Sequence, residues 1–232
     1  FPENINTFVD LFCGGLNVGI NINAKRVVAN DINKQVVDLL ENLHKTYIGE
    51  ALGEIDGLID LFNLNKENQQ GYLDLRDYYN KKNQSWYVFY TLICFSFNNQ
   101  IRFNKKNEFN VPFGKNRSSF NPTLRKKFVD FVQKLNNLQI DFTTNSFETL
   151  KVDKLKQNDF VYADPPYLIS CANYNESDGW NEEQERKLLN KLTELNNNNI
   201  KFALSNVFKN KNKENEILVE WAKDFNVYYL EN

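Results

Sequence analysis

Four consecutive residues, Asp164-Pro165-Pro166-Tyr167, carry the most specific chemistry in this chain. A proline fixes φ and lacks an N–H, so the pair ends a strand and holds its neighbouring carbonyls rigidly. The Asp164 carboxylate and the Pro165 carbonyl are two acceptors that can grip one NH₂ group. Tyr167, just beyond, offers a face on which a base stacks. The plain alternative is a strand-ending Pro-Pro turn. A second constellation is Asp10-Leu11-Phe12-Cys13-Gly14-Gly15-Leu16-Asn17-Val18-Gly19. Its glycines let backbone approach a ligand closely, although a tight structural turn explains them equally well. The dinucleotide pattern Gly-x-Gly-x-x-Gly is absent, which weakens a nicotinamide reading. The third is Asp31, 21 residues after Asp10. An acid there, at the end of a second strand, can accept both hydroxyls of a ribose; its alternative is a helix N-cap. Together the second and third point to an adenosine-type ligand.

These residues need a scaffold of strand ends. Thr7–Phe12 is a short run of β-type residues followed by a Cys13-Gly14-Gly15 loop,. Arg26–Ala29 is a second buried strand, ending at Asn30-Asp31. After it, Val36, Leu40 and Leu43 fall on one helical face,. This is a βαβ pattern, hence a parallel sheet. From about Tyr47 to Lys134 the alternation stops. Helices are predicted over Ile55–Phe62, Gln69–Tyr79 and Trp86–Cys94, followed by a long irregular loop of the kind that is usually functional. Alternation resumes with a strand at Phe160–Ala163. Asn181 caps a helix with Glu182, Glu183 and Glu185 in its first turn. A strand at Lys201–Leu204, a helix at Glu216–Lys223 and a final strand at Asn226–Leu230 complete the pattern. The fold class is therefore α/β, with a discontinuous domain, 1–46 and 135–232, interrupted by a mostly helical one, 47–134.

Charge is unevenly distributed. The 232 residues carry a formal charge of −2, which taken alone argues against a nucleic-acid partner. From Ile101 to Lys127, however, eight basic residues face only Glu108, a net +7 that leaves −9 for the remainder. Phe103, Phe109, Phe113 and Phe120 are interleaved with this charge. A solvated lysine-rich loop is one reading; phosphate contact combined with base contact is the other.

Composition excludes several classes. With 41% apolar and 14% aromatic residues the chain has material for a core and is not a disordered tail. It contains no apolar run of about 18 residues, so no membrane helix is predicted, and its start lacks a signal-peptide pattern. Cys13, Cys94 and Cys171 form no Cys-x-x-Cys pair, which suits a reducing compartment and offers no metal framework. His44 is the only histidine and is predicted at a solvated helix end. Methionine is absent altogether, and a trimmed chain is expected.

Asp-Leu-Phe-Cys-Gly-Gly followed much later by Asp-Pro-Pro-Tyr resembles the Dam-type DNA adenine-N6 methyltransferases, and looks closest to the T-even phage enzymes. The likeness runs over essentially the whole chain, through Phe8–Gly15, Val28–Asn33, Ile101–Gly114, Asp159–Ile169 and Phe202–Val207. The order of cofactor motif, recognition segment and catalytic motif is that of the alpha class. The resemblance implies a Rossmann-like class I methyltransferase sheet and S-adenosylmethionine as cofactor, with S-adenosylhomocysteine as product. Asp10, Phe12, Cys13, Gly14, Gly15 and Asp164 would line the cofactor pocket, and Asp31 would hold the ribose. Ser146 and Phe147 would meet the adenine. Asp164, Pro165, Pro166 and Tyr167 would be catalytic, acting on an adenine flipped from double-stranded DNA.

The cationic segment then becomes the recognition element. Arg102 aligns with the arginine that reads a guanine of GATC, as a bidentate pair. Phe97 and Asn98 align with residues at the flipped-base gap, and Pro112 with one touching a thymine methyl. Asn104 joins the DNA-contacting set. Lys105, Lys106, Lys115 and Arg117 suit phosphates. Gln100 departs from the family, standing where relatives carry an apolar residue, and a glutamine can hydrogen-bond adenine instead. Asn116-Arg117 also departs in the placement of its basic residue. The family's N-terminal Gly-Asn-Lys-like segment is absent. The resemblance implies no metal and no membrane, a cytoplasmic setting in a bacterial or phage-infected cell, and a restriction–modification context among those open. Competing readings are a methyltransferase for another amine (cytosine N4, an RNA base or a protein Gln) and a non-catalytic DNA-binding module of the same fold.

Overall fold

The computed structural model describes residues 1–169 and 180–230. In chain order its strands are β1 (Ile5–Asp10), β2 (Ala24–Asn30), β3 (Ile140–Thr143), β4 (Phe160–Ala163), β5 (Lys201–Leu204), β6 (Lys209–Asn210) and β7 (Lys213–Glu214). Its helices are α1 (Lys34–Lys45), α2 (Ile48–Leu61), α3 (Gln69–Lys81), α4 (Trp86–Phe95), α5 (Pro122–Asn136), α6 (Glu182–Asn197) and α7 (Glu216–Trp221). The chain divides into two compact units, Phe1–Val37 with Gln139–Asn232, and Asp38–Leu138.

The first unit is built on a five-stranded parallel sheet of order β3-β2-β1-β4-β5. This is the central sheet of the Rossmann-like class I methyltransferase fold. In the middle, Val9 of β1 lies opposite Val28 on one side and Val161 on the other. Central strands read as continuous apolar runs, so β4 lies at the residues predicted for it; β5, half-buried over Phe202-Ala203-Leu204 at the end of the sheet, also forms where expected. β3 was not expected: Ile140-Asp141-Phe142-Thr143 is a half-buried edge strand with too short an apolar run to stand out. The sequence leaves β1 toward β2 and later returns to β4 on the opposite flank. The strand order therefore reverses between β1 and β4, and at such a switch point a crevice opens outside the carboxyl ends.

One core packs Leu188, Leu192 and Leu195 of α6 and Leu218 of α7 against Val9, Val161 and Ala163. A smaller one gathers Ile5, Phe8, Val27 and Phe160. The Asn181 side chain accepts from Gln184 N at 3.0 Å, the predicted cap of α6. The strand expected over Asn226–Leu230 does not form. A strand needs a neighbour to pair its N–H and C=O groups; here Tyr228, Tyr229 and Leu230 are 85%, 82% and 91% exposed. Cys171 lies outside the described residues.

The second unit is helical, and its core includes Ile55, Tyr72, Leu75, Phe89, Leu92, Val132 and Leu135. The basic stretch expected as one irregular loop ends earlier than predicted, because α5 starts inside it. Asn121 accepts from Leu124 N at 2.9 Å and Pro122 opens the first turn, a strong helix start that the cationic residues masked. The interleaved aromatics are not a base-contacting set. Phe109, Phe113 and Phe120 are buried, where each contributes about 2 kcal/mol of apolar transfer. Phe109 packs against Tyr79 and Phe89, and Phe113 against Tyr72. They fold the loop; the exposed ring is Phe97.

Candidate functional site

In the first unit, the predicted residues converge at the carboxyl ends of β1, β2 and β4. β1 ends with the buried Asp10, whose Oδ2 accepts from Gly19 N at 3.0 Å. That bond folds the following loop back on its own strand. A Cβ at Gly19 would stand 2.8 Å from Leu16 Cδ1 and 2.9 Å from Asp10 Oδ2, so glycine is required for packing. Gly14 is required for conformation: its φ is +45°, and the space beside its Cα is open to 4 Å. Gly15 and the rest of the loop follow in a succession of turns.

Asp31 is not the N-cap of α1. Asn33 takes that role, its Oδ1 accepting from Gln35 N and Val36 N. The Asp31 oxygens accept instead from Gly14 N at 2.9 Å and Asn33 N at 2.8 Å. Asp31 thus ties the β1 loop to the β2 loop, and each oxygen keeps acceptor capacity for a ligand hydroxyl.

Behind these loops lies a residue that sequence reasoning passed over. Buried Asn30 donates to the carbonyls of Leu11 and Asn145, at 3.0 Å each, and accepts from Thr143 Oγ1 at 2.8 Å. It joins the ends of β1, β2 and β3 and places Asn145-Ser146-Phe147. Ser146 caps a short 3₁₀ turn through Glu148 N. The Phe147 ring lies 5.5 Å from that of Phe12. Trp180 closes a triangle with them, 5.7 Å from Phe12 and 5.6 Å from Phe147. Its signal was its place just before the cap of α6, where an apolar residue commonly packs inward.

After β4, Asp164 is exposed, Pro165 is buried and Pro166 and Tyr167 are half-buried. The Tyr167 hydroxyl donates to Asp164 Oδ1 at 2.8 Å and lies 3.0 Å from Ser205 Oγ. A phenol has one proton, so Ser205 is the donor to Tyr167. Ser205 was also missed; nothing in its local sequence marks it.

Electrostatics at these strand ends favour a cation. Burial raises the Asp10 carboxyl to about 6; the Gly19 N–H opposes this, and the Asp164 and Asp31 charges add to it. Burial likewise pushes the Cys13 thiol up, reinforced by Asp31 and Asp10, which keeps it protonated and unreactive. Burial raises the Tyr167 phenol, with Ser205 lowering it and Asp164 raising it. The Asp10 carboxylate, disfavoured by burial and by the Asp164 and Asp31 charges, is relieved by a bound positive group. Among the described residues no group of three or more His, Cys, Asp or Glu is placed to hold a metal ion. No helix among them is long and apolar enough to cross a membrane.

In the second unit, the loop over residues 96–118 carries the residues predicted to meet DNA. Phe97 N donates to Pro112 O at 2.8 Å. The Arg117 guanidinium lies 5.1 Å over the Phe97 ring and donates to Asn98 Oδ1 at 3.0 Å. Asn98 and Asn99 adopt φ of +54° and +52°, a left-handed pair that asparagine tolerates. Pro112, Lys105, Lys106, Lys115 and Arg117 are exposed, and Gln100 is half-buried. Arg102 stands apart, held by a residue not singled out from sequence: its Nε donates to Asn110 Oδ1 at 2.8 Å and its Nη2 to Asn110 O at 2.9 Å. Asn104 is committed to a turn, accepting from Lys106 N and Glu108 N and donating to Glu108 Oε2.

Comparison with known proteins places this arrangement. Residues 1–232 match the family model described as D12 class N6 adenine-specific DNA methyltransferase. The chain is 46% identical over 236 residues to the type II methyltransferase M.FokI of Planomicrobium okeanokoites, covering 100% of this chain and 36% of that one. It is 42% identical over 238 residues to the modification methylase StsI of Streptococcus sanguinis, again 100% and 36%. A DNA adenine methylase of Haemophilus influenzae is 29% identical over 190 residues, 72% of this chain and 57% of that one. The chain thus spans about a third of the length of the first two relatives.

Proposed function

The chain belongs to the family of D12 class N6 adenine-specific DNA methyltransferases, and from that premise we propose that it transfers a methyl group from S-adenosylmethionine to adenine N6 in double-stranded DNA. The observation that carries the reading is the meeting of Asp10, Asp31 and Asp164 at adjacent strand ends. The negative charge gathered around buried Asp10 suits a cationic ligand, and the Asp-Pro-Pro-Tyr acceptors follow on the neighbouring strand. When bound, S-adenosylmethionine supplies an electrophilic methyl on a sulfonium. Gly14, without a side chain, lets backbone lie against the ligand. Asp31 accepts from the ribose hydroxyls, and Phe12, Ser146 and Phe147 border the adenine.

The target base lies inside the duplex and is flipped out to react. Tyr167 stacks on it. Asp164 and the Pro165 carbonyl accept the two N6 hydrogens, which turns the nitrogen lone pair out of ring conjugation. Asp164 Oδ1 is already bonded to Tyr167, which orients the carboxylate and leaves acceptor capacity for the amine. The chain's contribution is positioning and preorganised electrostatics.

We assign 1–46 with 135–232 to cofactor binding and catalysis, and 47–134 to target recognition, with Arg102, Gln100 and Pro112 facing bases and Lys115 and Arg117 facing phosphates. GATC or a related site is the proposed target, with Gln100 altering its outer base pair. The relatives named as modification methylases favour a restriction–modification role in the bacterial cytoplasm. The test is incubation of unmethylated DNA with the chain and methyl-labelled S-adenosylmethionine, followed by sequencing for N6-methyladenine. Methyl on adenine within one short sequence is expected. Methyl on cytosine, on RNA or on protein overturns the reading, as does DNA binding with no transfer at all.

A further inference from the structure

Of the three acids in the first turn of α6, Glu182 and Glu183 are exposed and serve the helix dipole, but Glu185 is fully buried. A buried carboxyl is costly unless its oxygens are hydrogen-bonded. Glu185 is met by three N–H donors from three segments. Trp180 Nε1 donates to Oε2, while Asn206 Nδ2 and Asn215 Nδ2 donate to Oε1 at 3.0 and 2.8 Å. Asn215 is itself the cap of α7, accepting from Leu218 N. One side chain therefore fastens the start of α6, the loop after β5 and the start of α7.

We propose that Glu185 is a positioning residue that sets both walls of the transfer site, the cofactor side through Trp180 and the target side through Asn206 and its neighbour Ser205. The proposal rests on the methyl-transfer reading above. On the first side, the indole N–H is the one polar group of the Trp180 side chain, and anchoring it fixes the ring against Phe12 and Phe147. On the second, Asn206 is held at both ends of its amide, by Glu185 and by its acceptance from Val207 N at 2.8 Å. The adjacent Ser205 donates from its backbone to Ala163 O at 2.9 Å and meets Tyr167 through its hydroxyl. Neither Glu185 nor Asn206 touches the reacting atoms. They act by fixing the rings that border the cofactor and the base.

Glutamine in place of Glu185 keeps the shape but turns one acceptor into a donor, so either Trp180 or the asparagine pair faces donor against donor. The experiment is calorimetry of the full chain with S-adenosylhomocysteine, together with kcat per binding-competent site on duplex DNA. For Glu185→Gln, a roughly tenfold weaker Kd and a roughly tenfold lower kcat per site are expected, each equivalent to about 1.4 kcal/mol. A residue that only supports folding would lower the stoichiometry and leave both constants unchanged, which overturns the proposal. So does a change confined to one of the two constants. Asn206→Ala, which spares the Trp180 bond, provides the second variant should Glu185→Gln fail to fold. It should lower kcat about fivefold with Kd unchanged, through the loss of the two hydrogen bonds that hold its amide,; wild-type kcat overturns the target-side link. A wild-type chain that binds no S-adenosylhomocysteine overturns the methyl-transfer reading and the clasp with it. Normal wild-type binding with unchanged variants overturns the clasp alone.

Discussion

Tyr167 donates its hydroxyl to Oδ1 of Asp164 across 2.8 Å, so the ring assigned to stack on the base also orients the acid assigned to grip it. The two roles separate by substitution. Asp164→Ala removes the acceptor for the amine, and kcat should fall by about 10²–10³, the scale of losing one preorganised partner in a transition state. S-adenosylhomocysteine affinity should stay within a few-fold. Tyr167→Phe keeps the stacking face and loses the hydroxyl's bonds to Asp164 and Ser205, so a fall of about tenfold is expected. Single-turnover rates with calorimetry on the same samples decide it; near wild-type turnover by Asp164→Ala would sink the catalytic assignment.

Asp10 supplies a pH signature. Its carboxyl is raised to about 6 in the folded chain, chiefly by burial, from an ordinary value of 3.8. A raised carboxyl stabilises the fold fully below pH 3.8, and that contribution is lost as pH rises through 6. Across this window it amounts to about 3 kcal/mol, at about 1.4 kcal/mol per unit. Asp10→Asn removes the titrating group while its amide oxygen can still accept from Gly19 N. Relative to wild type, the variant should gain stability at pH 7.5 and lose that advantage by pH 4. Urea midpoints for both proteins at several pH values test this; parallel curves would show that Asp10 does not titrate in this range.

Two glycines of the β1 loop should respond differently to the same methyl. Gly14→Ala places a side chain at φ +45° with no atom within 4 Å of it. Its cost is backbone strain alone, about 1–2 kcal/mol. Gly19→Ala drives its Cβ to 2.8 Å from Leu16 and 2.9 Å from the Asp10 carboxylate. Overpacking of this kind costs about 1–3 kcal/mol and also displaces Asp10. Gly14→Ala should therefore weaken cofactor binding more than it lowers the thermal midpoint, with Gly19→Ala the reverse. Thermal scans with and without S-adenosylhomocysteine separate them.

What the sequence made legible follows from the range of each interaction. β4 is a continuous apolar run, β5 carries Phe202-Ala203-Leu204 directly after the α6 helix pattern, and Asn181 with its acids is a local helix start, so these could be read off short windows. β3 is a half-buried edge, and Asn226–Leu230 has strand-type residues without a strand partner among the described residues; pairing, which a window does not contain, decides both. The same holds at the site. Asp10, Gly14, Asp31 and Asp164 sit in compact motifs. Asn30, Trp180 and Ser205 work through partners up to 168 residues away in the chain (Trp180 with Phe12), and Glu185 is one acid among three in a first turn. The aromatics of the cationic loop failed differently. Phenylalanine beside lysine suits a base-stacking surface and a loop core equally, and only burial tells them apart.

Recognition gives the last prediction, through Arg102 and Asn110. Asn110 takes the Nε–Nη2 edge of the guanidinium with its side-chain and main-chain oxygens, leaving the Nη1–Nη2 edge for a base. Lysine offers a point charge with no planar fork, so Arg102→Lys should lose discrimination at one base pair by about 1–3 kcal/mol while keeping most of its affinity for unrelated DNA. Asn110→Ala should reproduce part of that loss with the arginine intact, because the fork is no longer aimed. Lys115→Ala and Arg117→Ala should instead weaken every sequence alike and flatten the salt dependence by about 0.9 per phosphate contact removed. Binding to a panel of single-base variants at two salt concentrations separates the classes. If Asn110→Ala weakens all sequences equally, Asn110 supports the loop and does not aim Arg102; the buried Phe109 and Val111 on either side of it make that the outcome to guard against, with the thermal midpoint of the variant as the control.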